Sequence, residues 1–111
     1  MTSASRLQTV VLVSGSGTNL QAIIDHAASG SLGITLTGVI SDRPGVLALE
    51  RAKHANIPAL TVDHAQAGNS TAFQQQLGGV LAELKPELIV LAGFMRILTP
   101  AFVQHYQGRL L

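Results

Sequence analysis

The stretch VLVSGSGTNLQAII, residues 11–24, decides the fold. Its first three residues belong to a short β-branched run, which ends at a turn containing two glycines. From Leu20 onward, apolar residues recur at helical spacing. The stretch therefore predicts a strand that passes through a glycine-containing loop into a helix, the start of a β-α-β unit. Glycines at such a turn let the backbone approach a ligand closely, and the helix N-terminus offers N–H groups to an anion.

The rest of the chain repeats this alternation. Further strands are predicted over residues 34–40, 57–62 and 88–92, and further helices over 46–55, 69–84 and 99–108. The order β-α-β-α-β-α-β-α predicts a parallel, Rossmann-like sheet with helices on both faces. The apolar pair Leu110 and Leu111 is expected to open another strand. We also expect the run 88–92 to leave a hydrophobic sheet edge, which favours pairing with a second copy as a homodimer.

Composition limits the classes of function. The 111 residues suffice for one domain, here interpreted as residues 1–111, and 47% of them are hydrophobic, which argues against disorder. The net charge of +1, without a Lys/Arg cluster, argues against nucleic-acid binding. No apolar run is long enough for a membrane span, and residues 1–9 lack the apolar middle of a secretory signal. With no cysteine for disulfides or thiolate metal sites, we expect a cytoplasmic protein.

The loop of residues 14–19 is the first candidate ligand site, because ligands of doubly wound sheets bind beyond the carboxyl ends of strands. We expect it to hold a phosphate, and the alternative is a tight turn with a polar helix cap. Leu20 replaces the third glycine of a dinucleotide fingerprint, and the loop lacks the lysine of a P-loop. Asp42, after the second predicted strand, is interpreted as part of an Asp-Arg-Pro-Gly turn rather than as a ribose-binding residue.

The loop of residues 93–98, GFMRIL, is the second candidate site. Four large apolar residues together outside regular structure either fold back into the core or meet a ligand. An apolar wall with one cation, Arg96, suits a flat heteroaromatic ligand that bears a carboxylate. The sequence leaves both interpretations open. No histidine has a second ligand at metal-binding spacing, and no nucleophile-base pair can be assembled.

Two blocks of this chain resemble the phosphoribosylglycinamide formyltransferases. Residues 11–24 resemble the opening of that family, and residues 91–103 resemble its folate-contacting segment. The resemblance extends over nearly all of the chain after Arg6. It implies transfer of a formyl group from 10-formyltetrahydrofolate, the co-substrate, to the amine of 5-phosphoribosylglycinamide in purine biosynthesis, without a metal.

The resemblance also implies roles for individual residues. The 5′-phosphate end of the substrate is expected to bind Gly17, Thr18 and Asn19. The folate is expected to contact the loop mostly through backbone groups and apolar side chains, at Met95, Arg96, Ile97 and Leu98. Ser70 stands where family members often carry an arginine near the folate, which puts a carboxylate contact there in doubt.

In the family, an Asn-x-His-Pro stretch follows a segment like residues 108–111, and a catalytic aspartate comes further on. These catalytic residues are absent from the 111 residues, so we interpret the chain as the family's N-terminal half and expect no useful turnover from it alone. The alternatives are a formyltetrahydrofolate deformylase, a tRNA formyltransferase, or a non-catalytic phosphate-binding module.

Overall fold

A computed structural model describes residues 6–111. Residues 1–5 lie outside the described residues. They make up most of residues 1–9, the segment in which the sequence shows no secretory signal. Within the described range the chain forms four strands and five helices, none of which is long and apolar enough to cross a membrane. They are, in chain order, β1 Leu7–Val13, α1 Thr18–Ser29, β2 Ile34–Ser41, α2 Leu47–His54, β3 Ala59–Thr61, α3 His64–Ala67, α4 Ser70–Leu84, β4 Leu88–Leu91 and α5 Pro100–His105.

The sheet is parallel throughout, in the order β3-β2-β1-β4, as the alternation predicts. β1 is a central strand, with β2 and β3 on one side of it and β4 on the other. The chain therefore changes direction across the sheet at β1. The loops that follow β1 and β4 begin at neighbouring strand ends and lead to helices on opposite faces, which is where such sheets open a crevice for ligands.

Both faces of the sheet are covered, because β1 is buried on both sides. Val10 and Leu12 pack in one core with residues of α4 and α5. Val11 and Val13 pack in a second core with residues of α1 and α2. Successive side chains of a strand point to opposite faces, so a continuous apolar run serves both cores. Each fully buried aliphatic side chain contributes about 1.5–3 kcal/mol, which makes β1 the main anchor of the fold.

Three helix ends have clear local causes. Gly30 ends α1 in the left-handed conformation, the side chain of Asn69 caps α4, and that of Thr99 caps α5. Helix α3 was not predicted; it forms because the Asp63 carboxylate accepts hydrogen bonds from the backbone of the two residues that follow His64. β3 is shorter than the predicted strand over 57–62, since it begins only after Pro58.

The residues after α5 pair with β4. Leu110 forms a parallel bridge with Ile89, whose N–H donates to the Arg109 carbonyl at 2.6 Å and whose carbonyl accepts from Leu111 N–H at 2.8 Å. Where the sequence predicts that Leu110 and Leu111 begin another strand, the structure has a single isolated bridge at Leu110. β4 is the last strand on its side of the sheet, as expected, but residues 109–111 already pair with part of its edge.

Candidate functional site

The loop after β1, residues 14–19, is termed the glycine loop below. Its conformation depends on Gly17, which has φ +77° and would place a Cβ only 2.8 Å from the Cα and Cβ of Ala48. A side chain is excluded both by the left-handed backbone and by this contact. Gly17 therefore lets the start of α1 pack directly against α2.

The beginning of α1 has unpaired backbone donors. The first helical hydrogen bond runs from Gln21 N–H to the Gly17 carbonyl at 2.8 Å, and no side chain caps the helix. Within residues 6–111, the N–H groups of Thr18, Asn19 and Leu20 therefore have no protein acceptor. The residues Thr18 and Asn19 are also exposed. The alternative of a turn closed by a polar cap does not form, and the helix end is open to an anion.

Two arginines hold the glycine loop from behind. Arg51 donates from Nε to the Ser16 carbonyl at 2.8 Å, and Arg43 donates from Nε to the Ser14 carbonyl at 3.1 Å. Their guanidinium groups add positive charge beside the helix N-terminus, which favours an anion further. Neither arginine is predicted from the sequence to contact this loop. Arg43 follows β2 and Arg51 lies in α2, and only the order of the strands in the sheet brings both beside the glycine loop.

The loop after β4, Gly93–Leu98, is termed the apolar loop. Its apolar side chains divide into two groups. Phe94 and Leu98 pack against the core on the α4 side of the sheet. Met95 is 75% exposed and Ile97 is 89% exposed. The core-filling interpretation thus holds for Phe94 and Leu98, whereas contact of Met95 and Ile97 with a ligand stays a prediction. These two large apolar side chains are therefore exposed in the loop that follows β4.

Three buried polar side chains hold the apolar loop, and each comes from a different element. Ser14, at the end of β1, accepts a hydrogen bond at Oγ from Met95 N–H at 2.8 Å. Asp42, after β2, accepts one at Oδ2 from Arg96 Nε at 2.6 Å. Gln74, in α4, binds the backbone on both sides of Leu98. The Ser14 contact joins the two loops directly, because Ser14 is also the first residue of the glycine loop.

The ion pair between Asp42 and Arg96 changes two expectations. Asp42 does lie in the predicted turn, but its side chain is only 1% exposed and its second oxygen, Oδ1, is buried without a partner in the described residues. Arg96 is 35% exposed at its side chain and is not the free cation that the sequence suggested. The carboxylate orients the guanidinium and neutralises much of its charge.

The apolar loop still offers backbone groups to a ligand. Within the described residues, the N–H groups of Arg96, Ile97 and Leu98 donate to no protein acceptor. Ser70 is exposed at the start of α4 and accepts a hydrogen bond from Gln74 Nε2 at 3.3 Å. Gln74 thereby links it to the apolar loop. Ser70 is thus two hydrogen bonds away from the Ile97 carbonyl, and its contact with the folate stays a prediction.

A large groove in the described part of the chain lies elsewhere. It has a volume of about 930 Å³ and runs between α4 and α5, meeting the apolar-loop region at Gln74 and Thr99. Tyr106 lines it, and burial raises the pKa of this phenol while nearby Arg109 opposes the rise. No residue of the glycine loop lines the groove. Among residues 6–111 no group of three His, Asp or Glu side chains is placed to hold a metal ion.

Comparison with known proteins connects this geometry to one family. Residues 7–111 match the formyl transferase family. The chain is 44% identical over 102 residues to the phosphoribosylglycinamide formyltransferase of Escherichia coli, covering 92% of this chain and 48% of that protein. It is 42% identical over 112 residues to the trifunctional purine biosynthetic protein adenosine-3 of Drosophila melanogaster, covering 99% of this chain and 8% of that protein.

A solved structure has the same fold. Glycinamide ribonucleotide transformylase 1 from Symbiobacterium toebii superposes with a TM-score of 0.89 at 37% identity, over 97% of this chain and 51% of that one. The chain thus spans about half the length of the bacterial proteins it matches here.

Proposed function

The chain belongs to the formyl transferase family, and we propose that it forms the substrate-binding half of a phosphoribosylglycinamide formyltransferase. Such an enzyme transfers a formyl group from 10-formyltetrahydrofolate to the amine of 5-phosphoribosylglycinamide. One observation carries this proposal. The hydrogen bond from Met95 N–H to Ser14 Oγ holds an anion-binding helix end and an exposed apolar loop side by side. The reaction needs a phosphate-bearing substrate and a flat folate held in contact with each other.

The glycine loop binds the 5′-phosphate of the ribotide. Gly17 brings the backbone of the loop close to α2, and the N–H groups of Thr18 and Asn19 point to no protein acceptor within residues 6–111. A phosphate at this helix end gains charge-assisted hydrogen bonds and the favourable end of the helix dipole. The hydroxyl of Thr18 and the amide of Asn19 supply further donors.

The apolar loop binds the folate. Met95 and Ile97 provide exposed apolar surface against a flat ring, and the free backbone N–H groups of Arg96 and Leu98 suit the ring's hydrogen-bond acceptors. Ser70 lies at the edge of this surface, without the charge that an arginine would bring. When bound, 10-formyltetrahydrofolate supplies the formyl group that is transferred.

The contribution of this chain is orientation. Holding two reactants in contact converts a bimolecular step into an effectively unimolecular one. We assign no catalytic residue within the chain and propose that residues 1–111 act as a single phosphate- and folate-binding domain, with no useful turnover by themselves. A cytoplasmic location is part of the proposal. A homodimer through a sheet edge stays a prediction, which light scattering at about 100 µM checks.

Calorimetric titration with three ligands tests the proposal. The unaltered chain is expected to bind 5-phosphoribosylglycinamide and folic acid, and to lose ribotide binding when the 5′-phosphate is removed. Gly17→Ala is expected to abolish ribotide binding, whereas Gly45→Ala, at a left-handed glycine with open space around it, should not. Equal binding of the phosphorylated and dephosphorylated ligands would contradict the phosphate assignment. Folic acid binding without ribotide binding would favour a deformylase instead.

A further inference from the structure

Gln74 differs from the two glutamines that follow it in α4. The side chains of Gln75 and Gln76 are exposed and make no hydrogen bond within the described residues. Gln74 is only 8% exposed, and both ends of its amide are paired. Its Nε2 donates to the Ile97 carbonyl at 2.9 Å and to Ser70 Oγ at 3.3 Å, and its Oε1 accepts from Thr99 N–H at 2.8 Å.

These bonds hold the end of the apolar loop in an extended shape. The amide of Gln74 binds the carbonyl before Leu98 and the N–H after it, much as a neighbouring strand would. With both sides of Leu98 fixed, its side chain packs against the core and the preceding side chain, Ile97, points to solvent at 89% exposure. The hydrophobic effect alone favours the opposite result for Ile97, since burial of a large aliphatic side chain is favourable.

We propose that Gln74 is a positioning residue for the flat ligand of the apolar loop. It holds Ile97 outward and keeps the N–H groups at this end of the loop accessible, acting through the backbone without touching the ligand itself. The inference rests on the proposed function, in which the apolar loop contacts the folate ring. Within residues 6–111 the Gln74 side chain makes no hydrogen bond to the glycine loop, so its effect should be confined to one of the two ligands.

The substitution Gln74→Met keeps the length of the side chain and removes both hydrogen-bonding ends. Gln76→Met is the matched control, because it makes the same change on the same helix at an exposed, unbonded position. Gln74→Glu is the second variant. It retains an acceptor for Thr99 N–H but has no donor for the Ile97 carbonyl, and it maintains the polarity of the site if Gln74→Met folds poorly.

Amide exchange and calorimetry together test the proposal. In Gln74→Met, the Thr99 amide should exchange about tenfold faster, and folic acid should bind about tenfold more weakly, as expected for loss of these hydrogen bonds. Binding of 5-phosphoribosylglycinamide should stay within about twofold of that of the unaltered chain, as should both affinities in Gln76→Met. Gln74→Glu should keep the Thr99 amide protected and still weaken folic acid binding.

Parallel losses of both affinities in Gln74→Met would indicate a general structural role and overturn the proposal, as would unchanged exchange at Thr99. If folic acid binds Gln74→Met as tightly as it binds the unaltered chain, the positioning role of Gln74 is contradicted and the proposed function is not. Absence of folic acid binding by the unaltered chain would contradict the proposed function, and this inference with it.

Discussion

The glycine loop and the apolar loop lie side by side at the carboxyl ends of β1 and β4, but different interactions hold them. The glycine loop depends on Gly17, which packs against Ala48 in a conformation that other residues rarely adopt, and Arg43 and Arg51 also bind two of its carbonyls. The apolar loop is shaped by the buried side chains Ser14, Asp42 and Gln74, which lie far from it in the sequence.

This difference suits the ligands proposed for the two loops. Backbone N–H groups at a helix end are a rigid site for a compact anion such as phosphate. An apolar surface for a flat ring must instead keep large side chains out of the core, which requires support from outside the loop. The substitutions below test whether the two loops are held in these separate ways, beginning with the largest expected effect on stability.

Gly17→Ala should be the most damaging change to the glycine loop. The new methyl group would meet the Ala48 backbone at 2.8 Å and would stand on a residue with φ +77°. We expect a loss of about 2–5 kcal/mol in the free energy of unfolding, from overpacking and backbone strain combined. Urea denaturation measures it. Gly45→Ala, which has open space, should cost only about 1–2 kcal/mol, and equal losses would mean that the contact with α2 is unimportant.

Asp42→Asn removes the carboxylate that holds Arg96 at 2.6 Å. Arg96 is partly exposed and can turn toward water, so we expect a loss of about 1–3 kcal/mol rather than the larger cost of a wholly buried pair. The control is Glu50→Gln, which breaks the exposed pair with Lys53 and should change stability little. If the two variants have the same denaturation midpoint, Asp42 does not support the apolar loop.

Ser14→Ala tests the contact between the loops. It leaves Met95 N–H without its acceptor at 2.8 Å, and we expect a loss of about 1–2 kcal/mol in the free energy of unfolding. Exchange of the Met95 amide with solvent should accelerate as well. Ser16→Ala is the control, at an exposed serine whose hydroxyl makes no hydrogen bond in the described residues. It should change neither the free energy of unfolding nor the exchange of the Met95 amide. Unchanged exchange at Met95 would show that the loops are held independently.

Ile97→Ser should have the smallest effect on stability. Because this side chain is 89% exposed, the free energy of unfolding should change by less than about 0.5 kcal/mol. Folic acid binding should nevertheless weaken about three- to tenfold, as expected for lost apolar contact. Leu98→Ala supplies the contrast, since it should destabilise the fold by removing a core contact. If Ile97→Ser leaves the affinity for folic acid unchanged, the folate ring does not bind against Ile97.

The same difference explains which structural features could be predicted from the sequence and which could not. The alternation of apolar runs with helical patterns predicts the parallel sheet, because each element carries its own signal. The glycine loop carries its signal as well, in two glycines directly between a strand and a helix. The side-chain caps at Asn69 and Thr99 are equally local features.

The supports of the apolar loop are not local. No spacing in the sequence links Ser14 to Met95, which are 81 residues apart, or Asp42 to Arg96, which are 54 apart. Only the order of the strands in the sheet brings these side chains together. For the same reason, the sequence could not decide which apolar residues of the loop would be buried. Gln74 was missed because its neighbours in α4 are also glutamines and only its position on the helix distinguishes it.

The most direct test of the phosphate site is an amide NMR titration of the chain with 5-phosphoribosylglycinamide and with its dephosphorylated counterpart. We predict that the amide signals of Thr18 and Asn19 move with the phosphorylated ligand and stay in place with the other, because these exposed, free N–H groups bind the phosphate. Equal shifts with both ligands, or shifts confined to other parts of a folded chain, would contradict it.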